Sequence, residues 1–89
     1  MDERIAERIM RSGAPISLSD AELQLDRLPL TRTPLPETVR AWVRYPDAPL
    51  QVSALAVAWT PRAVAIKWDA PDQQTHKAWV WASAVERVD

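Results

Sequence analysis

Leu50 to Asp69 reads LQVSALAVAWTPRAVAIKWD, and the interpretation of this stretch decides the fold. Two β-rich runs flank Thr60-Pro61-Arg62-Ala63. A four-residue loop built on a type I turn, with Pro61 at its second position, sets Trp59 opposite Val64. Val57 then faces Ile66, and Leu55 faces Trp68. All six side chains share one side of the hairpin, because side chains alternate faces along a strand. Ala54, Ala56, Ala58 and Ala65 fall on the other side. A two-residue primed turn needs a positive φ that Pro61 does not adopt. Leu50 and Val52 are large on one parity, and Leu55, Val57 and Trp59 on the other. That change of phase predicts a bulge near Ser53–Ala54, with one strand serving two faces of a small barrel.

Upstream of the hairpin, Val39, Ala41, Val43 and Tyr45 alternate with Thr38, Arg40, Trp42 and Arg44. This period of two predicts a half-buried strand. Pro46-Asp47-Ala48-Pro49 is then a turn. It completes an Arg-x-Pro-x-x-Pro string with Arg44, but between two strands that string has no room for a polyproline helix. Downstream, Asp69 to His76 reads as a polar loop, Lys77–Trp81 as a strand, Ala82-Ser83-Ala84 as one tight helical turn, and Val85–Val88 as a last short strand.

The N-terminal third has a different pattern. Residues 3–12 read as a helix capped by Asp2 and ended by Gly13, with Pro15 following. Ile5, Ala6, Ile9 and Met10 form its apolar stripe, suited to docking on the domain or to contact with a partner. Ser19 to Leu28 reads as a second helix. Ser19 and Glu22 make a capping box, and Leu18 and Leu23 occupy the positions of a hydrophobic staple. Two such helices invite a helix-turn-helix reading. The connection from Gly13 to Ser19 is too long for it, and Asp20, Glu22 and Asp26 would meet phosphates with the wrong sign. Residues 29–37, PLTRTPLPE, contain three prolines and read as an extended linker.

The sequence thus predicts an α+β chain: a helical segment over 1–30, a Pro-rich linker over 31–37 and a β-barrel over 38–89. Its 89 residues include no Cys and five Trp, so stability must come from apolar burial rather than disulfides or thiolate–metal bonds. The formal charge of −1 lacks the basic excess of phosphate-backbone binding. No apolar run reaches the roughly 18–20 residues of a membrane span, and the charged N-terminus MDERIAER lacks a signal core. A cytoplasmic protein with no membrane partner is the expectation.

Four strands in meander order, one helical turn and a fifth short strand resemble an SH3-like barrel over residues 38–88. SH3 domains make the turn with a hydrophobic-Pro-Ser-Asn-Tyr-Val segment. Here Trp81-Ala82-Ser83-Ala84-Val85 occupies that place and shares Ser83. The resemblance implies a fold and carries no binding residues, since Tudor-type and KOW-type modules share the same barrel. In size, composition and plan the whole chain also resembles small accessory proteins of actinobacteria or their phages.

Catalytic and metal signatures are missing from the sequence. His76 is the only histidine and reads as a solvated loop residue; with Asp69 and Asp72 alone beside it, it lacks a ligand set. The two aspartates, on one loop, have no pocket to split their pKa values into an acid and a base. Gly13 is the sole glycine, so there is neither a phosphate-cradling loop nor a nucleophile elbow. A non-enzyme without cofactors is therefore expected, working through its surface. Trp42 lies between Arg40 and Arg44 on the solvent-facing parity of its strand, and Trp79 and Trp81 share one face of theirs. Trp and Arg dominate interface energies. These five residues are the candidate partner-binding site, for another protein (a host protein, if the chain is phage-encoded) or for a second copy in a homodimer. The competing reading is a nucleic-acid accessory protein, with Trp42 stacking on a base and Arg40, Arg44, Arg62 and Lys67 on phosphates. A third is a structural subunit of a homo-oligomeric assembly.

Overall fold

A computed structural model describes residues 3–71 and 73–88. The proposed Asp2 cap and the Asp69–Asp72 pairing therefore involve positions outside the described residues. The elements are α1 (Glu3–Arg11), a single helical turn α2 (Asp20–Leu23), β1 (Thr31–Arg44), β2 (Pro49–Trp59), β3 (Ala63–Asp69), β4 (Thr75–Trp81), a 3-10 turn (Ala82–Ala84) and β5 (Val85–Arg87). The strands form one antiparallel sheet in the order β4-β3-β2-β1-β5.

That sheet is strongly rolled, as chain length alone requires. In a flat sheet the two edge strands would lie about 19 Å apart, four spacings of about 4.8 Å. Only Ala82–Ala84 separate Trp81 of β4 from Val85 of β5, and four residue steps reach at most about 14 Å. The edges must curl toward each other. They do not join. β4 and β5 remain the two ends of the sheet, so the expected barrel is not closed. β4 runs straight into the 3-10 turn, and β5 uses its three residues pairing with Val39–Ala41 of β1.

The interior corrects the expected faces of the hairpin. Leu50, Val52, Ala54, Ala56 and Ala58 are all buried, in unbroken alternation, so no phase change occurs near Ser53–Ala54. Trp59 does pair with Val64. Thr60 builds the turn, its N–H donating to the Ala63 carbonyl (2.8 Å) and its Oγ1 accepting from the Ala63 N–H (3.0 Å). The register shift falls between Ala56 and Ala58, so Ile66 faces Ala56 and Leu55 faces Lys67. The alanines face the core because the rolled interior is narrow and β3 brings Ile66 and Trp68 into it. Small residues opposite large ones fill such a space without overpacking.

β1 is longer than expected. The stretch read as a linker, 31–37, is its first part: Thr31 and Arg32 pair with Trp59 and Ala58, and the ladder resumes at Glu37↔Ala56. Between them, residues 33–36 bulge out. Pro34 and Pro36 have no N–H to give to a ladder, so the extended chain pairs on either side of them.

α1 docks on its own domain. Ile9 is buried in the core, with Ala6 and Met10 packed against it, whereas Ile5 is exposed. The second helix is shorter than expected. The Ser19–Glu22 capping box forms, but Gln24 adopts the left-handed conformation (φ 51°) and ends the helix after one turn. Leu23 is thereby buried. Gly13 has φ +149°, and a Cβ there would lie 2.9 Å from Pro46 Cγ. Beside it, Ser12 Oγ accepts from the Asp47 N–H (3.3 Å), holding the end of α1 against the β1–β2 turn. Gly13→Ala combines backbone strain with this clash. It is expected to lower unfolding free energy by about 1–3 kcal/mol, measured by urea denaturation.

Candidate interaction groove

The rolled sheet leaves a seam, and the candidate residues gather there. β5 covers β1 only as far as Ala41, so beyond it the edge of β1 at Trp42–Arg44 faces the edge of β4. The chain between the two helical segments laces this gap. The Ile16 N–H donates to the Arg44 carbonyl (2.7 Å) on one bank. On the other bank, the Leu18 N–H donates to the Trp79 carbonyl (3.0 Å), and the Trp79 N–H donates to Ser17 Oγ (2.8 Å). Each bond satisfies a strand-edge group that a closed barrel would have paired.

A groove of about 490 Å³ lies along this seam. Val43 and Val80, both buried, belong to its lining. Trp42, Trp79, Trp81, Ile16 and Pro49 supply further apolar surface, and Arg44 and Glu22 its charge. Trp42 is 49% exposed, Trp81 40% and Ile16 53%; Trp79 is half-buried beneath the lacing segment. Four of the five candidate residues thus line one surface. Arg40 does not. It lies further along β1, opposite Ser53 of β2 and Glu86 of β5.

No protein-family model, curated protein or solved structure matches this chain. The groove must be interpreted from its own chemistry. Among the described residues no three His, Cys, Asp or Glu side chains gather as a metal site, and no helix is long and apolar enough to cross a membrane. Two cations of the nucleic-acid reading, Arg44 and Lys67, lie on separate surfaces, and neither surface includes Arg40 or Arg62. Arg44 lines the groove, whereas Lys67 lines a separate cleft of about 400 Å³ with Leu55 and Asp69. In that cleft's neighbourhood Lys67 also faces Lys77 across the β3–β4 ladder.

His76 departs from its expected solvated loop. It is the second residue of β4 and half-buried. The Trp68 indole N–H donates to Tyr45 Oη (3.0 Å), and Tyr45 Oη lies 2.9 Å from His76 Nδ1. These three rings form a hydrogen-bonded group with Tyr45 and Trp68 both buried. The parity His76, Ala78, Val80 was the available signal, since it continues the buried face of β4 two residues earlier. The lacing segment is likewise hard to read from sequence. Its signal is brief: Ile16 and Leu18 alternate with Ser17 and Ser19, a strand pattern too short to stand out from a connection.

Proposed function

We propose that this chain is a non-catalytic protein-interaction module of SH3-like architecture whose contact surface is the seam groove. One observation carries the reading: Trp42 and Trp81 stand about half exposed beside Ile16 along a groove with an apolar lining. Large aromatic side chains left open next to apolar neighbours are the usual anchors of protein contacts. Arg44 and Glu22 add one charge of each sign to the lining, which orients a partner more than it strengthens binding. The architectural part of the proposal rests on strand order, because the last strand returns to pair with the first after a single 3-10 turn.

The test is capture by the tagged protein, beside its Trp42→Ala variant, from a nuclease-treated lysate that also contains the untagged chain. A protein retained by the first and weakened by about 30-fold or more with the second supports the reading, since a central Trp contributes about 2 kcal/mol or more. Retention equal in both rejects the groove. Binding present before nuclease treatment and absent after it would put nucleic acid first, with Trp42 stacking and Arg44 on phosphate.

A further inference from the structure

We propose that the groove is filled by the Pro34-Leu35-Pro36 bulge of a second copy of this chain, an inference that rests on the groove being a contact surface. The bulge is a further exposed apolar feature. Leu35 is 79% exposed, more than any other large hydrophobic among the described residues. It is also held rigidly. Prolines fix the backbone on both sides, and Thr33 Oγ1 accepts from the Leu35 N–H (3.1 Å) while its hydroxyl donates to the Leu35 carbonyl (3.0 Å). A preorganised knob loses little conformational entropy on binding. With no N–H on either proline, it is suited to insert side chains between indoles rather than to extend a strand ladder.

Geometry requires a second molecule. The knob and the groove lie toward opposite ends of β1: the regular ladder from Glu37, just beyond the knob, to Trp42 covers five residues, about 16 Å along a strand at about 3.3 Å per residue. Because both features sit on one paired strand, the knob does not reach its own groove. Charge favours the match. Arg32 flanks the knob and Glu22 belongs to the groove, so the knob's cation meets a carboxylate there, whereas Glu37 on the other side of the knob is held by Arg87 (3.8 Å). A two-fold axis beside the middle of β1 would let each copy place its knob in the other's groove, a closed arrangement that needs no further surface. Two knob-in-groove contacts still make a small interface, so a dissociation constant on the order of 1–100 μM is expected.

Sedimentation velocity at concentrations up to about 500 μM, spanning that range, tests this with three samples: the wild-type chain, Leu35→Asp and Trp42→Ala. Both altered side chains are largely outside the core, and near-ultraviolet circular dichroism verifies that each variant is folded. The wild type is expected to shift from monomer to dimer, with association weakened about 10-fold or more in each variant. An equimolar mixture of the two variants should associate more tightly than either variant alone, because the mixed dimer keeps one intact contact, the knob of Trp42→Ala in the groove of Leu35→Asp. A mixture that associates no more tightly than either variant alone overturns the proposal, as does a wild type that is monomeric throughout. If Trp42→Ala abolishes association but Leu35→Asp does not, the knob falls while the groove reading stands. If neither variant alters association, the groove reading falls as well.

Discussion

Trp68→Ala is expected to lower the unfolding free energy by about 3–5 kcal/mol. For 89 residues the whole stability is only about 4–13 kcal/mol. The variant should therefore melt about 15 °C or more below the wild type, or fail to fold at all. Trp68 projects from β3 into the interior, where it is 5% exposed. Its ring meets Tyr45 edge-on at 6.4 Å and His76 at 6.0 Å. The facing residues Ala54, Ala56 and Ala78 belong to the same buried cluster and are too short to collapse into the space an indole leaves. The loss has a second component. The Trp68 N–H is satisfied by Tyr45 Oη, so Tyr45→Phe retains nearly all the packing and strands a buried donor, at about 1–3 kcal/mol. Thermal and urea unfolding of the two variants separates the terms. Equal losses would show that the hydrogen bond, rather than the volume of Trp68, secures this end of the core.

The period-two segments were largely legible in the sequence, and so was the chemistry of the turns. Val39, Ala41 and Val43 are buried on β1, Thr60–Ala63 forms the hairpin turn, and Ala82–Ala84 makes the tight helical turn before β5. The capping box at Ser19 is present because its two hydrogen bonds are local. Features fixed by distant parts of the chain were harder to read. Nothing local in Gln24 announces its left-handed conformation, which lets Leu23 be buried and turns the chain back. The prolines at 34 and 36 resemble a linker until β2 is available to pair on both sides of them. Four of the candidate site residues could be named from strand parity and residue type. Their assembly along one seam could not be foreseen, because it depends on how far the sheet rolls and on which segment laces the gap. Arg40, chosen by the same parity argument, shows the limit of that reasoning: sharing a strand face with Trp42 does not place it in the groove.

Ala56→Leu tests the inverted hairpin directly. By hydrophobic content, Leu55, Val57 and Trp59 should be the inside of β2 and the alanines its outside, where a leucine side chain would cost almost nothing. The rolled sheet places Ala56 inside, 4% exposed and opposite Ile66. Three extra carbons there must displace Ile66 or Trp68 from their rotamers, or open the ladder at the adjacent register shift. Overpacking of this kind costs about 1–3 kcal/mol and sometimes more. Leu55→Ala is the natural counterpart. Leu55 is 37% exposed, so its truncation leaves no enclosed cavity, and a loss of about 1 kcal/mol or less is expected. The two faces of β2 thus predict opposite orders of damage. If enlarging the alanine proves the more harmful change in urea unfolding, the interior lies on the alanine side. If truncating the leucine does, the strand is turned over, and Trp42 and Trp81 lose the solvent-facing positions on which the groove depends.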